Sequence, residues 1–118
     1  MKNLEQVRAF NALSPVARQV RAGEGEGDAL SGYPSLIINN GLLATLAFSL
    51  EKKKQHLRIA TAIAHHLANL PDGENLIAPK PPTAEGLRDK LTESDSHHLQ
   101  RCTTEAVAFL TFLKRFAA

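Results

Sequence analysis

The chain has 118 residues, 43% of them apolar and 22% charged, which is the length and composition of one soluble globular domain, residues 1–118. Polar residues interrupt every apolar stretch, and the segment MKNLEQVRAF lacks the continuous apolar core of a signal peptide, so we expect neither a membrane span nor a secretory signal. With a single cysteine, these features predict a cytoplasmic protein. The net charge of +2 is small, but the charges are unevenly placed, which favours an anionic partner.

The first predicted element is one kinked helix over residues 3–22. Apolar residues recur there at helical spacing, and the stripe keeps its phase across Ser14 and Pro15. Its members are Ala9, Ala12, Leu13, Val16 and Val20. The next segment, GEGEGD at residues 23–28, has no apolar residue and is predicted to be a flexible loop.

The segment YPSLIINNGLLATLAFSL, residues 33–50, poses a choice between a β-hairpin and two helices. Asn-Gly between apolar runs is a strong hairpin signal, but the apolar residues here do not alternate with polar ones. They follow a helical stripe on both sides of Gly41 instead, with Pro34 placed in a first helical turn. We therefore predict a helix-to-helix junction at Asn40 and Gly41, where glycine adopts a positive φ or lets another backbone approach.

Three further helices are predicted after this junction. Residues 55–70 carry a broad apolar face and mark the most buried helix. Residues 71–82 form a loop rich in proline and glycine, and Thr83 is the predicted N-cap of a short helix that carries Leu87 and Leu91. The apolar seam of the last helix comprises Leu99, Cys102, Ala106, Phe109, Leu113 and Phe116. The chain is thus predicted to be all-α, a single-domain bundle of about five or six helices without a sheet.

Catalytic motifs are absent from the sequence, which predicts that the chain is not an enzyme and holds no cofactor. It contains no P-loop, no dinucleotide-binding glycine motif, no Cys-x-x-Cys and no nucleophile elbow. Adjacent histidines on a helix point about 100° apart and cannot clasp one metal alone. We therefore interpret the histidines as solvated surface residues; they are His56, His65, His66, His97 and His98. Cys102 lies on the last seam and is interpreted as a buried structural cysteine.

Two polar helix faces are candidates for an anionic partner. The first face begins just before residue 55 and continues along the fourth helical segment; it comprises Lys54, Arg58, Thr61, His65 and Asn69. The face on the last helix comprises Arg101, Thr104, Ala108, Thr111 and Arg115. Cationic, hydroxyl and amide groups in such rows suit a phosphate backbone. Because there is no Trp, one Tyr and most Phe residues fall on core stripes, base stacking is not expected. An ordinary solvated helix face remains the alternative.

The two most distinctive segments resemble the small helical subunit of the Cmr complex, the type III-B CRISPR RNA-guided effector. In the first segment the resemblance lies in Pro34, Ser35, Ile37, Ile38, Asn40, Gly41, Leu42, Leu46, Ala47 and Phe48. The ending TTEAVAFLTFLKRFAA is similar to the ending of that family, with Phe112 where the family often has Trp. Both segments are packing patterns and neither is catalytic.

The resemblance implies a non-catalytic subunit whose copies stack as a minor filament beside larger Cmr backbone subunits, along the guide–target RNA duplex. The implied partners are the backbones of CRISPR RNA and target RNA, the larger subunits and other copies of the chain, with no membrane. Candidate contacts to RNA backbone or to a neighbouring subunit are Lys52, Lys53, Lys54, Arg58, Arg101, Lys114 and Arg115. Structural motif residues are Pro34, Asn40, Gly41, Phe48, Phe109 and Leu113. Two alternatives are a free-standing helical adaptor for an acidic protein and a small metal-dependent hydrolase that uses the histidine pairs.

Overall fold

The computed structural model describes residues 3–23, 28–71 and 79–117. The α-helices in these ranges are α1 Leu4–Ala12, α2 Ala29–Asn40, α3 Leu42–Lys52, α4 Lys54–Ala68, α5 Ala84–Glu93 and α6 Ser96–Phe116. A 3-10 turn, Ala17–Gln19, follows α1. These ranges contain no strand, so the prediction of an all-α bundle is confirmed. The larger parts of the two predicted loops, residues 24–27 and 72–78, lie outside the described residues. No helix within the ranges has the length and apolar content needed to cross a membrane.

The helix predicted to be most buried, α4, is the centre of the bundle and packs against each of the other α-helices. Ile59, Ile63 and Leu67 are spaced by four residues and fully buried, so they form one stripe that faces the core. Nine of the 15 residues of α4 are buried, which leaves only a narrow side of the helix to solvent. The predicted cap of α5 is also confirmed, because Thr83 Oγ1 accepts a hydrogen bond from the Gly86 amide at 3.0 Å.

The seam predicted for α6 is buried in its middle and open at its end. The fully buried members are Cys102, Ala106, Phe109 and Leu113. Leu99 is only partly buried, and Phe116 is 43% exposed, so the predicted burial of Phe116 is wrong. Phe116 lies in the last turn of α6, where it lines an open groove with Leu13, Arg18 and Arg21 instead of packing into the core.

The predicted kinked helix over residues 3–22 is wrong, because the chain starts a new turn at Ser14 and Pro15. α1 ends before this point, and Ser14 Oγ accepts a hydrogen bond from the Ala17 amide at 3.2 Å, as an N-cap does. Pro15 takes the position after the cap, where a backbone N–H would have no partner within the helix, so proline loses no hydrogen bond there. The predicted apolar stripe is broken as a result, and Leu13 is 49% exposed.

The predicted junction at Asn40 and Gly41 is confirmed, and with it the pair of helices in place of a hairpin. α2 ends at Asn40 and α3 begins at Leu42. Gly41 has φ 90° and ψ 158°, a region that is almost restricted to glycine. A Cβ at Gly41 would meet no other atom within 4 Å. The junction therefore needs glycine for its backbone conformation and not for close packing.

Pro34 lies in the second turn of α2 and not in the first turn as predicted, because α2 begins at Ala29. Next to it, the buried Tyr33 hydroxyl lies 2.7 Å from Ser49 Oγ. Ser49 Oγ donates its own hydrogen to the Thr45 carbonyl at 2.8 Å, so Tyr33 is the donor in the pair with Ser49. This hydrogen bond ties α2 to α3 across the Gly41 junction.

The junction between α3 and α4 has similar backbone geometry but a different residue. Lys53 alone separates the two helices. Its φ of 62° and ψ of −158° lie in a region almost restricted to glycine, and Lys54 also has a positive φ, of 52°. Because Lys53 carries a Cβ, its backbone is strained by about 1–3 kcal/mol.

The two junctions should respond to substitution in opposite directions. Gly41→Ala places a Cβ in the glycine region and should lower the free energy of unfolding by about 1–3 kcal/mol. Lys53→Gly removes a Cβ from that region and should raise it by about 1 kcal/mol. Gly32→Ala is the control: this glycine lies inside α2 with open space around it, so alanine should stabilise by about 0.5–1 kcal/mol. Chemical denaturation measures the free energy of unfolding of all three variants. A lower value for Lys53→Gly than for the unmodified chain would contradict a strained backbone at Lys53.

Candidate nucleic-acid interface

Most of the predicted cationic contacts are exposed at one end of the bundle. They are Lys52, Lys53 and Lys54 at the junction of α3 and α4, Arg58 one turn further along α4, and Lys114 and Arg115 in the last turn of α6. The sequence predicted each group on its own helix, whereas the fold brings the groups together.

Asp28, just before α2, lies near a cation of α3 and a cation of α6. It lines a cavity of about 230 Å³ together with Lys52. Ser31 donates a hydrogen bond that lowers the pKa of the Asp28 carboxyl below its usual value, and the charge of Lys114 adds to the same shift. Asp28 therefore shares a cavity with Lys52 and lies within electrostatic range of Lys114.

Two arginines that were not among the predicted contacts, Arg18 and Arg21, join the lysines through the 3-10 turn. A groove of about 460 Å³ between the turn and α4 is lined by Gln19, Lys54 and Arg58, among others. A groove of about 390 Å³ between the turn and the end of α6 is lined by both arginines and by the aromatic ring at the end of α6. We call the resulting surface the cationic face; its members are Arg18, Arg21, Lys52, Lys53, Lys54, Arg58, Lys114 and Arg115.

A third groove, of about 520 Å³, lies between α1 and α4, and Arg18, His65 and Asn69 are among its lining residues. Burial lowers the pKa of His65 below its usual value, so the uncharged form of His65 is favoured at neutral pH. The predicted polar row from Lys54 to Asn69 thus borders two grooves on one side of α4. None of the residues that line the three grooves around the 3-10 turn is Asp or Glu.

Arg101 is the predicted contact that the fold does not bring to the cationic face. It lies 13 residues before Lys114 on α6, which is about 20 Å along the helix axis. It is only partly exposed, and the exposed carboxylates of Glu93 and Asp95 precede it at that end of α6. The two ends of α6 therefore differ in charge.

The predicted motif residues divide between the core and the junctions. Phe109 and Leu113 are buried in the centre of the bundle, and Pro34 is partly buried in α2. Phe48 is 39% exposed, lines the cavity that contains Asp28, and packs its ring edge-to-face on His56 at 5.2 Å between centroids. Asn40 and Gly41 are exposed at the α2–α3 junction.

A buried ion network that the sequence did not predict joins α1, α4 and α6. Arg8 donates two hydrogen bonds to the Glu105 carboxylate, both of 2.8 Å. His66 Nε2 lies 2.9 Å from the same carboxylate, and His66 Nδ1 lies 2.8 Å from Asn11 Nδ2. Because an amide nitrogen only donates, Nδ1 must accept, so the His66 proton is on Nε2 and is donated to Glu105. His66 is fully buried and stacked on Phe109, so its predicted solvation is wrong.

The charge of Glu105 is fixed by these partners. Burial raises the pKa of its carboxyl, but the hydrogen bonds from Arg8 and His66 outweigh burial and lower the pKa to about 2. Both ring nitrogens of His66 are engaged and closed off from solvent. The carboxylate–imidazole pair therefore holds helices together and offers no proton to a bound substrate.

The other histidines have separate surroundings. His56 is buried beside Tyr33 and Phe48, which corrects its predicted solvation as well. His98 lies on the surface, 3.0 Å from Asp95. In the ranges that the structure describes, no three His, Cys, Asp or Glu side chains are grouped so that they could hold a metal ion. Cys102 is buried, as predicted.

The expectation that most Phe residues lie in the core is wrong. Phe10 is 63% exposed, Phe48 39% and Phe116 43%. The exposure of Phe10 accompanies the early end of α1, and Phe116 is exposed in the groove beside the last turn of α6. Phe10 and Phe116 line two of the grooves beside the 3-10 turn, so the cationic face carries aromatic side chains after all.

Comparison with known proteins yields one match. Residues 4–118 match the family described as CRISPR-associated protein (Cas_Cmr5). No curated protein and no solved structure matches the chain. The matched range covers every element described above.

The network around Glu105 should make the fold sensitive to acid. Because its pKa is lowered from 4.5 to about 2 by folding, the stabilisation is complete above pH 4.5 and is lost as pH falls towards 2. Glu105→Gln should remove this part of the pH dependence and lower the free energy of unfolding at neutral pH. Glu93→Gln, an exposed carboxylate on α5, is the matched control. Urea denaturation at several pH values gives the free energy of unfolding as a function of pH. If this free energy changed with pH equally in Glu105→Gln and in the unmodified chain, the prediction would be contradicted.

Proposed function

This chain belongs to the Cas_Cmr5 family of CRISPR-associated proteins, and from that premise we propose that it is a non-catalytic structural subunit of the type III-B Cmr ribonucleoprotein. Its copies stack as a minor filament along the guide–target RNA duplex in the cytoplasm. Its partners are the larger Cmr backbone subunits, other copies of itself, and the backbones of CRISPR RNA and target RNA.

The cationic face is the observation that carries the proposed RNA contact. Three separate parts of the chain, the 3-10 turn, the α3–α4 junction and the end of α6, bring cations to one end of a protein whose net charge is only +2. Phosphates bind such a surface whatever the base sequence, because each neutralised phosphate releases counterions. Contacts of this kind position RNA without reading its sequence. They suit a subunit that must accept any guide.

Lys53 and Lys54 support the proposal because folding alone disfavours lysine at both positions. Lys53 has a strained backbone that glycine would relieve. Lys54 is the first residue of α4, where the positive end of the helix dipole repels cations, and its own φ is positive. Neither forms an ion pair with a described residue. A bound phosphate would offset this repulsion, and strained residues are concentrated at binding sites.

The non-catalytic role is supported by the buried pair of Glu105 and His66. These side chains have the hydrogen-bonded geometry of a catalytic dyad, but Arg8 and Asn11 occupy their remaining positions and no substrate can reach them. The pair is a structural connection between α6 and α4. Chemical steps of the complex are therefore assigned to its other subunits.

Lys53→Gly tests the RNA contact in a Cmr complex reconstituted with CRISPR RNA. The affinity for complementary target RNA should fall, and the slope of log affinity against log salt should become shallower by about 0.7 for each phosphate that is no longer neutralised. The melting temperature of the subunit should rise in the same variant, so misfolding cannot account for weaker binding. Lys90→Ala removes an exposed lysine of α5 and should leave affinity and slope unchanged.

Two results would count against this role of Lys53. A variant that stays in the complex and keeps the original affinity and slope would refute the RNA contact at this residue. A variant that leaves the complex, with an unchanged slope in the complexes that retain it, would assign Lys53 to an acidic surface of a neighbouring subunit.

A further inference from the structure

Exposed apolar side chains lie within the cationic face, on two sides of Arg18. Leu13 and Arg18 line both the groove beside α6 and the groove beside α1 and α4. Phe116 forms part of the first groove and Phe10 part of the second. The ring of Phe116 packs against Phe112 in a T-shaped contact at 6.1 Å, which orients it while 43% of the residue stays exposed.

Cations border these apolar walls, and carboxylates do not. Arg18 and Arg21 line the groove that contains Phe116, and the exposed Arg115 precedes Phe116 in the chain. Neither groove has an Asp or Glu among its lining residues, in a chain that contains 12 of them. An aromatic wall beside guanidinium groups matches the two parts of a nucleotide, the flat base and the phosphate. A protein segment would match this surface only if it carried apolar and anionic groups at the same spacing, whereas every nucleotide carries both parts.

We propose that this surface binds single-stranded RNA, with an unpaired base stacked on Phe116 and the adjoining phosphates held by Arg18 and Arg21. The bases of an RNA duplex are stacked on one another, so only unpaired nucleotides can reach an aromatic ring in this way. The inference rests on the proposed RNA contact of the cationic face and adds the class of RNA that it holds. Because every base has a flat face, stacking tolerates any sequence.

The test uses the full-length chain at low salt with two probes, a fluorescein-labelled oligouridylate and an RNA duplex of the same length. Anisotropy gives the two dissociation constants, and amide chemical shifts locate the contact. Oligouridylate should bind more tightly than the duplex and shift the amides of the 3-10 turn and the last turn of α6. Phe116→Leu keeps an apolar side chain but removes the ring, so oligouridylate binding should weaken about tenfold while duplex binding is unchanged.

Two further variants serve as controls. Phe116→Tyr keeps the ring and should bind oligouridylate as the unmodified chain does. Phe48→Leu alters a partly exposed Phe in the cavity beside α2 and should change neither affinity. Melting temperatures verify that each variant is folded.

Several outcomes would overturn the proposal. Equal oligouridylate affinity of Phe116→Leu and the unmodified chain would refute stacking, while duplex binding would still support the backbone contact. No binding of either RNA would refute stacking and the backbone contact of the isolated chain together. If Phe116→Leu kept its RNA affinity but lost self-association or incorporation into the complex, Phe116 would belong to a protein interface and stacking would be refuted.

Discussion

Glu105 carries the buried charge around which α1, α4 and α6 are arranged. Its carboxylate on α6 accepts hydrogen bonds from Arg8 of α1 and His66 of α4, which lie 97 and 39 positions away in the chain. A buried carboxylate that loses its partners destabilises a fold by about 3–5 kcal/mol. Only an arrangement that brings α1 and α4 to the same side of α6 avoids this cost. Among the described residues, no buried side-chain nitrogen or oxygen lacks a hydrogen-bond partner, so this arrangement satisfies the whole polar interior that the structure describes.

The charge distribution of the surface follows from this arrangement. Arg8 holds α1 beside α6, so the chain leaves α1 next to the last turns of α6 and crosses α4 before it enters α2. Ser14 starts the 3-10 turn on that path, and the turn carries Arg18 and Arg21 to the lysines at the start of α4. Asp95 begins α6 at the other end, about 30 Å away along a helix of 21 residues. The acids and bases near the start of α6 balance one another, whereas the cations at its other end outnumber the described carboxylates there.

Local patterns predicted those parts of the fold that depend on neighbours within one or two helical turns. The Thr83 cap, the Gly41 junction and the buried stripe of α4 are of this kind. The early end of α1 was also encoded locally, by Ser14 followed by proline, but the phase of the apolar stripe indicated one kinked helix instead. The burial of His66 did have a local signal, because it lies three residues after Ile63 and seven after Ile59 and so falls on the apolar face of α4. Its partner had none, because Glu105 is 39 residues away. The convergence of cations from separate helices could not be deduced for the same reason, since it depends on how those helices pack.

Acetylation of lysines in the assembled complex, measured by mass spectrometry with and without bound target RNA, tests most directly whether the cationic face holds RNA. Lysines that bind phosphate lose reactivity when RNA covers them, and lysines elsewhere on the chain do not. We predict that target RNA protects Lys53, Lys54 and Lys114 and leaves Lys90 on α5 as reactive as before. If target RNA left the acetylation of each of the four lysines unchanged, an RNA contact at this end of the bundle would be contradicted. Protection of Lys90 without protection at the α3–α4 junction would contradict it as well.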